Sequence, residues 1–157
     1  MITGLKDRIV IITGAANGIG KSVALKFADE GAHLGLIDID DVEMENVARE
    51  ARRRGVNVHT KKADLSTASG VSSAFDEILS KFQNKVDVLV NNVGSGAIRT
   101  FDDVDDEAWD ATLSLNFMSY VRAIRKVLPI LRINGGVIIN NASDLARQPE
   151  PVPIDYS

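Results

Sequence analysis

The stretch Thr13-Gly14-Ala15-Ala16-Asn17-Gly18-Ile19-Gly20 constrains this chain more than any other, because of what stands on either side of it. Before it lies the apolar run Ile9-Val10-Ile11-Ile12, and after it a helical pattern begins. A strand that ends in glycines and turns into a helix brings bare backbone close to a pyrophosphate. The helix N-terminus then offers unpaired N–H groups and roughly half a positive charge to the anion. No side-chain cation is needed. The glycines stand four and then two residues apart, so the stretch is not the usual Gly-x-Gly-x-x-Gly dinucleotide fingerprint. Taken alone, it also fits an ordinary strand-to-helix turn.

Apolar runs and helical periodicities alternate along the rest of the chain, as in successive βα units around a parallel sheet. One layered α/β domain over residues 1–157 is the expectation. Ile19, Val23, Phe27 and Ala28 share a face of the first helix, which should pack on the sheet, and Gly31 closes it. The run Leu34-Gly35-Leu36-Ile37 ends at Asp38, eighteen residues after Gly20, where a ribose-binding carboxylate is expected in such units. Val42 to Arg54 reads as a second helix stopped by Gly55, with Arg52, Arg53 and Arg54 at the end that favours positive charge. Val56 to His59 reads as a third strand. Ala63-Asp64-Leu65 and a capping serine or threonine follow, then a helix whose buried stripe is Val71, Ala74, Phe75, Ile78, Leu79 and Phe82. His33 and His59 sit at strand edges and read as structural.

A fourth strand, Val86 to Val90, runs into Asn91-Asn92-Val93-Gly94. In an open α/β sheet, ligands lie beyond the carboxyl ends of the strands, so these polar residues should face the same crevice as the glycine turn. From Asp106 a long helical pattern carries Trp109, Leu113, Asn116, Tyr120, Ile124 and Val127, with Pro129 marking a kink or an end. Asn116 on that apolar face is either a satisfied core amide or part of a site. Gly136 to Ile139 forms a fifth strand whose end, Asn140-Asn141-Ala142-Ser143, joins the crevice. Pro149, Pro151 and Pro153 then dictate a loop that delivers Tyr156.

Composition narrows the partners. The net charge of −4 comes with acidic and basic residues interspersed, so neither nucleic acid nor a membrane surface is expected. The N-terminal apolar run is too short for a signal peptide and no stretch approaches membrane-spanning length, which points to a cytoplasmic setting. Without cysteine there is no disulfide, thiol nucleophile or zinc–thiolate site, and no metal site is expected. Redox chemistry would have to come from a bound cofactor.

Together these residues resemble the short-chain dehydrogenase/reductase family, single-domain type, over the whole chain. Thr13 to Gly20 is similar to its T-G-x-x-x-G-I-G, Asp64-Leu65 to its adenine-contacting pair and Asn91-Asn92-Val93-Gly94 to its N-N-A-G. Trp109 and Asn116 fall in register, and Ser143 lies thirteen residues before Tyr156, as do the family's catalytic serine and tyrosine. The resemblance implies a Rossmann-like doubly wound parallel sheet of about five strands in the order 3-2-1-4-5, without the family's C-terminal strands and helices. It implies NAD-dependent hydride transfer to or from a small alcohol or carbonyl compound. Tyr156 would be the acid/base, Ser143 would hydrogen-bond the substrate oxygen, and Asn116 would hold the water of a proton relay. The implied cofactor-binding residues are Gly14, Asn17, Gly18, Ile19, Gly20, Asp38, Ile39, Asp64, Leu65, Asn91, Val93 and Gly94.

NAD is expected over NADP. A carboxylate at Asp38 can accept both ribose hydroxyls, whereas a 2′-phosphate about 4 Å away would meet roughly 4 kcal/mol of repulsion per unit charge at an effective dielectric of 20, less where solvent enters. No arginine or lysine stands in the turn, and Ile39 rather than a basic residue follows Asp38. The family's tyrosine motif continues Y-x-x-x-K, while the sequence ends at Ser157. A free tyrosine, with a pKa near 10, is only about one part in a thousand ionised at pH 7. The expectation is a piece of a longer enzyme, inactive by itself, whose apolar fifth strand is covered by a homo-oligomer mate or another segment. Two other readings stay open: a non-catalytic nucleotide-binding or assembly module, and a methyltransferase, which the Ser143–Tyr156 spacing disfavours.

Overall fold

The computed structural model describes residues 3–151 and 153–157; Val152, in the loop expected to deliver Tyr156, lies outside them. Five strands form one parallel sheet: β1 (Ile9–Thr13), β2 (His33–Asp38), β3 (Val58–Lys62), β4 (Val88–Asn91) and β5 (Val137–Asn140). Their order is β3-β2-β1-β4-β5, as expected. The central strands of the sheet are covered on both faces, and the period-two alternation of a strand assigns their side chains. Val10 and Ile12 of β1 join a core with Ala24, Ala28, Met44 and Val47, from α1 (Gly18–Asp29) and α2 (Asp41–Arg52). Ile9 and Ile11 point the other way, to Val71, Phe75, Ile78, Ala123 and Val127, from α3 (Ala68–Lys81) and α5 (Ser119–Asn134). Strands buried on both faces explain why the sequence shows apolar runs there instead of alternation.

Local chemistry sets the element ends. Asp40 caps α2 by accepting from Glu43 N at 3.1 Å, and Thr67 caps α3 by accepting from Gly70 N at 3.0 Å. Gly31, at φ +81°, ends α1 as expected, with its N–H on Ala28 O and that of Ala32 on Phe27 O. Gly35 lets α3 sit close on β2, since a Cβ there would come within 2.4 Å of Ile78 Cγ2. The stripe from Val71 to Phe82 is buried throughout, with Phe75 at its centre fully enclosed. Phe75→Ala is expected to cost about 3–5 kcal/mol, measurable as a lowered denaturation midpoint.

Several boundaries differ from the sequence reading. Against the expected Val56 to His59, β3 starts two residues later, at Val58, and runs three residues past His59 to Lys62, because Thr60, Lys61 and Lys62 find backbone partners in β2 despite their polar side chains. The long helical pattern is two helices, α4 (Asp106–Leu113) and α5, joined by a π-helical turn, Ser114–Met118. Pro129 does not end α5, which continues to Asn134. It lies on the exposed side, where water can take the carbonyl that a proline leaves unpaired. Ile19 and Leu113, expected on buried faces, are 62% and 49% exposed. Both stand at helix ends, where the chain leaves the sheet. β5 pairs only with β4 among the described residues, and Val137 and Ile139 are exposed along it.

Candidate active site

The carboxyl ends of the strands open into one crevice of about 1180 Å3, lined from the glycine turn by Gly14, Asn17, Gly18 and Ile19. Asp38 and Ile39 line it after β2, Asp64 and Leu65 after β3, and Val93 and Gly94 after β4. Asn116, Ser143 and Tyr156 reach the same space from the π-helical turn, the end of β5 and the C-terminal segment. Of the residues singled out in sequence, Gly20 and Asn91 stand behind the wall. Gly20 is buried with a Cβ position only 1.9 Å from Gly14 O, so the bare Cα allows the turn to fold back on its helix. Asn91 is wholly buried and donates to Asn140 Oδ1 at 2.9 Å, which ties the ends of β4 and β5.

The turn is held by Thr13 and Asn92, which stand in the two sequence motifs but carry no expected site role there. Asn92 Nδ2 donates to Thr13 O at 3.2 Å and Gly14 O at 3.0 Å, and its Oδ1 accepts from Asn141 Nδ2 at 2.9 Å. Thr13 Oγ1 accepts from the N–H groups of Asn92 and Val93, at 3.0 and 3.2 Å. Strands β1, β4 and β5 are thereby locked together at the crevice floor. Gly14 has φ +65° and a Cβ position 2.9 Å from Val93 Cα, so the backbone there needs glycine. Asp38 belongs to the same scaffold: Oδ2 accepts from Ala16 N and Oδ1 from Asp40 N, both at 2.9 Å. Its carboxylate lines the crevice with two backbone hydrogen bonds already made. Asp64 Oδ1 similarly accepts from Ser66 N at 2.9 Å, fixing the loop after β3.

On the other side, Asn116 is committed to the protein. Its Oδ1 accepts from Ser95 N at 2.9 Å, and Nδ2 donates to Ser95 O at 2.9 Å and Thr112 O at 3.0 Å. It therefore both lines the crevice and satisfies its amide, which joins the two readings left open by the sequence. Ser143 Oγ accepts from Leu145 N at 3.2 Å and donates to Asp144 Oδ1 at 3.3 Å. Asp144 and Ala146 line the crevice beside it. The ring of Tyr156 rests on Gly96, where a Cβ would fall 3.1 Å from Tyr156 Cγ. Residues 153–157 make one helical turn, with Ser157 N donating to Pro153 O at 3.1 Å.

Tyr120 also lines the crevice and donates its hydroxyl to Asn141 O at 3.0 Å. Burial, reinforced by nearby Tyr156, pushes its pKa up to about 12. A raised folded-state value means that this contribution to stability is present below the unfolded tyrosine value near 10 and is lost as pH rises toward 12. Ultraviolet titration should show a late phenolate that Tyr120→Phe removes. The two histidines lie outside the crevice: His33 Nδ1 accepts from Asn57 N at 3.1 Å, and His59 packs edge-on against Phe82. Burial, with Lys81 and Arg52 near, holds His59 below its usual pKa. Among the described residues no group of acidic and histidine side chains is placed to hold a metal, and no helix is long and apolar enough to cross a membrane.

The short chain dehydrogenase family model matches residues 8–157, and the chain belongs to this oxidoreductase family. It is similar to an uncharacterized oxidoreductase of Bacillus subtilis (strain 168), YvrD, with 38% identity over 154 residues, covering 98% of the chain and 57% of the relative. The fold matches L-sorbose reductase from Gluconobacter frateurii, solved with NADPH and L-sorbose, at a TM-score of 0.93 and 36% identity, covering 99% of the chain and 60% of that protein. It also matches a 7α-hydroxysteroid dehydrogenase solved with NADH and 7-oxo glycochenodeoxycholic acid, at a TM-score of 0.91 and 32% identity, covering 97% and 59%. The chain thus spans 57–60% of the length of these relatives.

Proposed function

We propose that the polypeptide containing this chain is an NAD-dependent oxidoreductase that moves a hydride between nicotinamide and a small alcohol or carbonyl compound. The observation that carries this reading is the presence of Tyr156, Ser143, Asp38 and the glycine turn around one crevice. The residues fit the cofactor: the turn offers bare backbone, a Cβ at Gly18 would meet nothing within 4 Å, and Asp38 presents a carboxylate. Bound nicotinamide supplies the hydride chemistry. The chain's part is to hold a proton at the substrate oxygen. Tyr156 Oη is the group proposed to donate it during reduction and accept it during oxidation, with Ser143 Oγ orienting the substrate oxygen. Asn116 keeps the loop at Ser95 in place and is proposed to hold the relay water through the remaining acceptor capacity of this turn.

Asp38 supports NAD. Its carboxylate would accept ribose hydroxyls, and a 2′-phosphate brought to within about 4 Å would be repelled by roughly 4 kcal/mol per unit charge before solvent screening reduces it. The relatives differ here, since one was solved with NADPH and another with NADH. Asp38→Ser should therefore weaken NAD binding and narrow its advantage over NADP by about tenfold or more, read by calorimetric titration with each cofactor. Equal loss for both would remove Asp38 from cofactor choice. A cytoplasmic enzyme whose β5 is covered by a homo-oligomer mate or by another segment of the longer polypeptide is part of the same proposal, and the exposed Val137 and Ile139 support such a cover. Tight NAD binding without turnover on any hydroxyl or keto compound would favour a nucleotide-binding module instead.

A further inference from the structure

We propose that Asp155 is a positioning residue for Tyr156, clamped by Arg99 and Thr112 so that the tyrosine ring is held for proton transfer. The inference rests on the acid/base reading of Tyr156. The Asp155 side chain is only 1% exposed, although it follows the proline-rich stretch that ends at Pro153. Its Oδ2 accepts from Arg99 Nη2 at 2.5 Å and from Thr112 Oγ1 at 2.6 Å. Ile154 N also donates to Arg99 O at 3.4 Å, so the loop after β4 holds this segment through both backbone and side chain.

The pair is poorly arranged for stability alone. Among the described residues, Asp155 Oδ1 and Arg99 Nε are buried without a hydrogen-bond partner. A buried ion pair whose remaining polar atoms go unsatisfied gains little over apolar residues of the same volume. What the arrangement does supply is direction. In the helical turn of residues 153–157, neighbouring side chains point about 100° apart. Anchoring Asp155 toward α4 therefore turns Tyr156 toward Gly96 and the crevice, where its ring is found. Thr112 extends the clamp to the rest of the site, because its carbonyl accepts from Asn116 Nδ2 at 3.0 Å while Asn116 also grips Ser95. Asn116 and Tyr156 are thus set by one framework of Ser95, Asn116, Thr112, Asp155 and Arg99.

Misplacement of a reacting group by about 1 Å can cost on the order of a hundredfold in rate. In the full-length polypeptide, Asp155→Asn keeps the shape and removes the charge. It is expected to lower kcat by about tenfold or more while KM and the NADH Kd stay within about twofold. Backbone amide exchange across residues 153–157 should quicken in the same variant. Arg99→Met should match it, Arg99→Lys should recover most of the rate, and the double variant Arg99→Met with Asp155→Asn should be no slower than either single one. The proposal is overturned if Asp155→Asn turns over normally beside an inactive Tyr156→Phe, or if its loss of rate only follows a loss of folded protein or of NADH affinity. A Tyr156→Phe enzyme with unchanged turnover would instead remove the acid/base reading, and the proposal with it.

Discussion

Gly20→Ala is expected to cripple cofactor binding although Gly20 does not line the crevice. The added methyl would lie 1.9 Å from Gly14 O and 2.7 Å from Asn92 Nδ2, and the nearest of these is backbone that cannot swing aside. Gly14 would have to move, and with it the two bonds by which Asn92 Nδ2 holds the turn. Overpacking of this kind costs about 1–3 kcal/mol of stability. Affinity should fall further, because a turn that must be rebuilt to receive a pyrophosphate loses about tenfold in Kd for every 1.4 kcal/mol that rebuilding requires. Calorimetric titration with NAD checks the affinity and thermal denaturation the stability. Gly55→Ala is the control: it forces φ +83° on a side chain, a strain Gly20→Ala does not impose, but nothing lies within 4 Å of its Cβ and it stands outside the crevice. It should lower stability alone.

Tyr156→Phe is expected to lower kcat by roughly 10²- to 10⁴-fold, the range that a positioned acid/base supplies, with NAD affinity nearly unchanged. Phenylalanine keeps the ring against Gly96 and removes only the hydroxyl, so packing with the loop after β4 is preserved. Equal falls in kcat and kcat/KM would place the lost interaction in the transition state. A rise in KM with kcat intact would make Tyr156 a substrate-binding group. Ser143→Ala should fall short of this loss, because Ser143 orients the substrate oxygen and does not itself transfer the proton, even though its Oγ also caps the short 3-10 turn Asp144–Ala146 and its removal costs some local order.

The fold was legible because its signals are local and strong. Apolar runs ending in Thr13, Asp38 and Asn91 mark the central strands, and Val71 to Phe82 repeats at helical spacing. Polar strand residues such as Lys61 and Lys62 were hidden, since backbone pairing with β2 outweighs their side-chain preference. The π-helical turn was hidden as well, because an extra residue in a helical turn leaves no mark in an apolar pattern that drifts anyway. Around the crevice, Asp38 and Asn91 stand out in sequence because they end strands, where polarity interrupts an apolar run, whereas Asn116 and Tyr156 stand out by a lone amide on an apolar helix face and by the spacing from Ser143. Tyr120 read as one more apolar position on a helix, and the Asn92–Asn141 contact joins residues 49 apart. Asp155 and Arg99 meet across 56 residues, and nothing near either one in the chain distinguishes it from a surface charge.

The central claim is that the glycine turn, Asp38 and Tyr156 serve one hydride-transfer site. It is tested most directly by following NADH formation from NAD in the full-length polypeptide against a panel of polyols, hydroxysteroids and simple secondary alcohols, with Tyr156→Phe run beside it. The account predicts NADH formation with at least one class of alcohol and its near abolition by Tyr156→Phe, with NAD bound equally by both proteins. NAD binding without turnover on any alcohol, or on the matching carbonyl compounds with NADH, would contradict it.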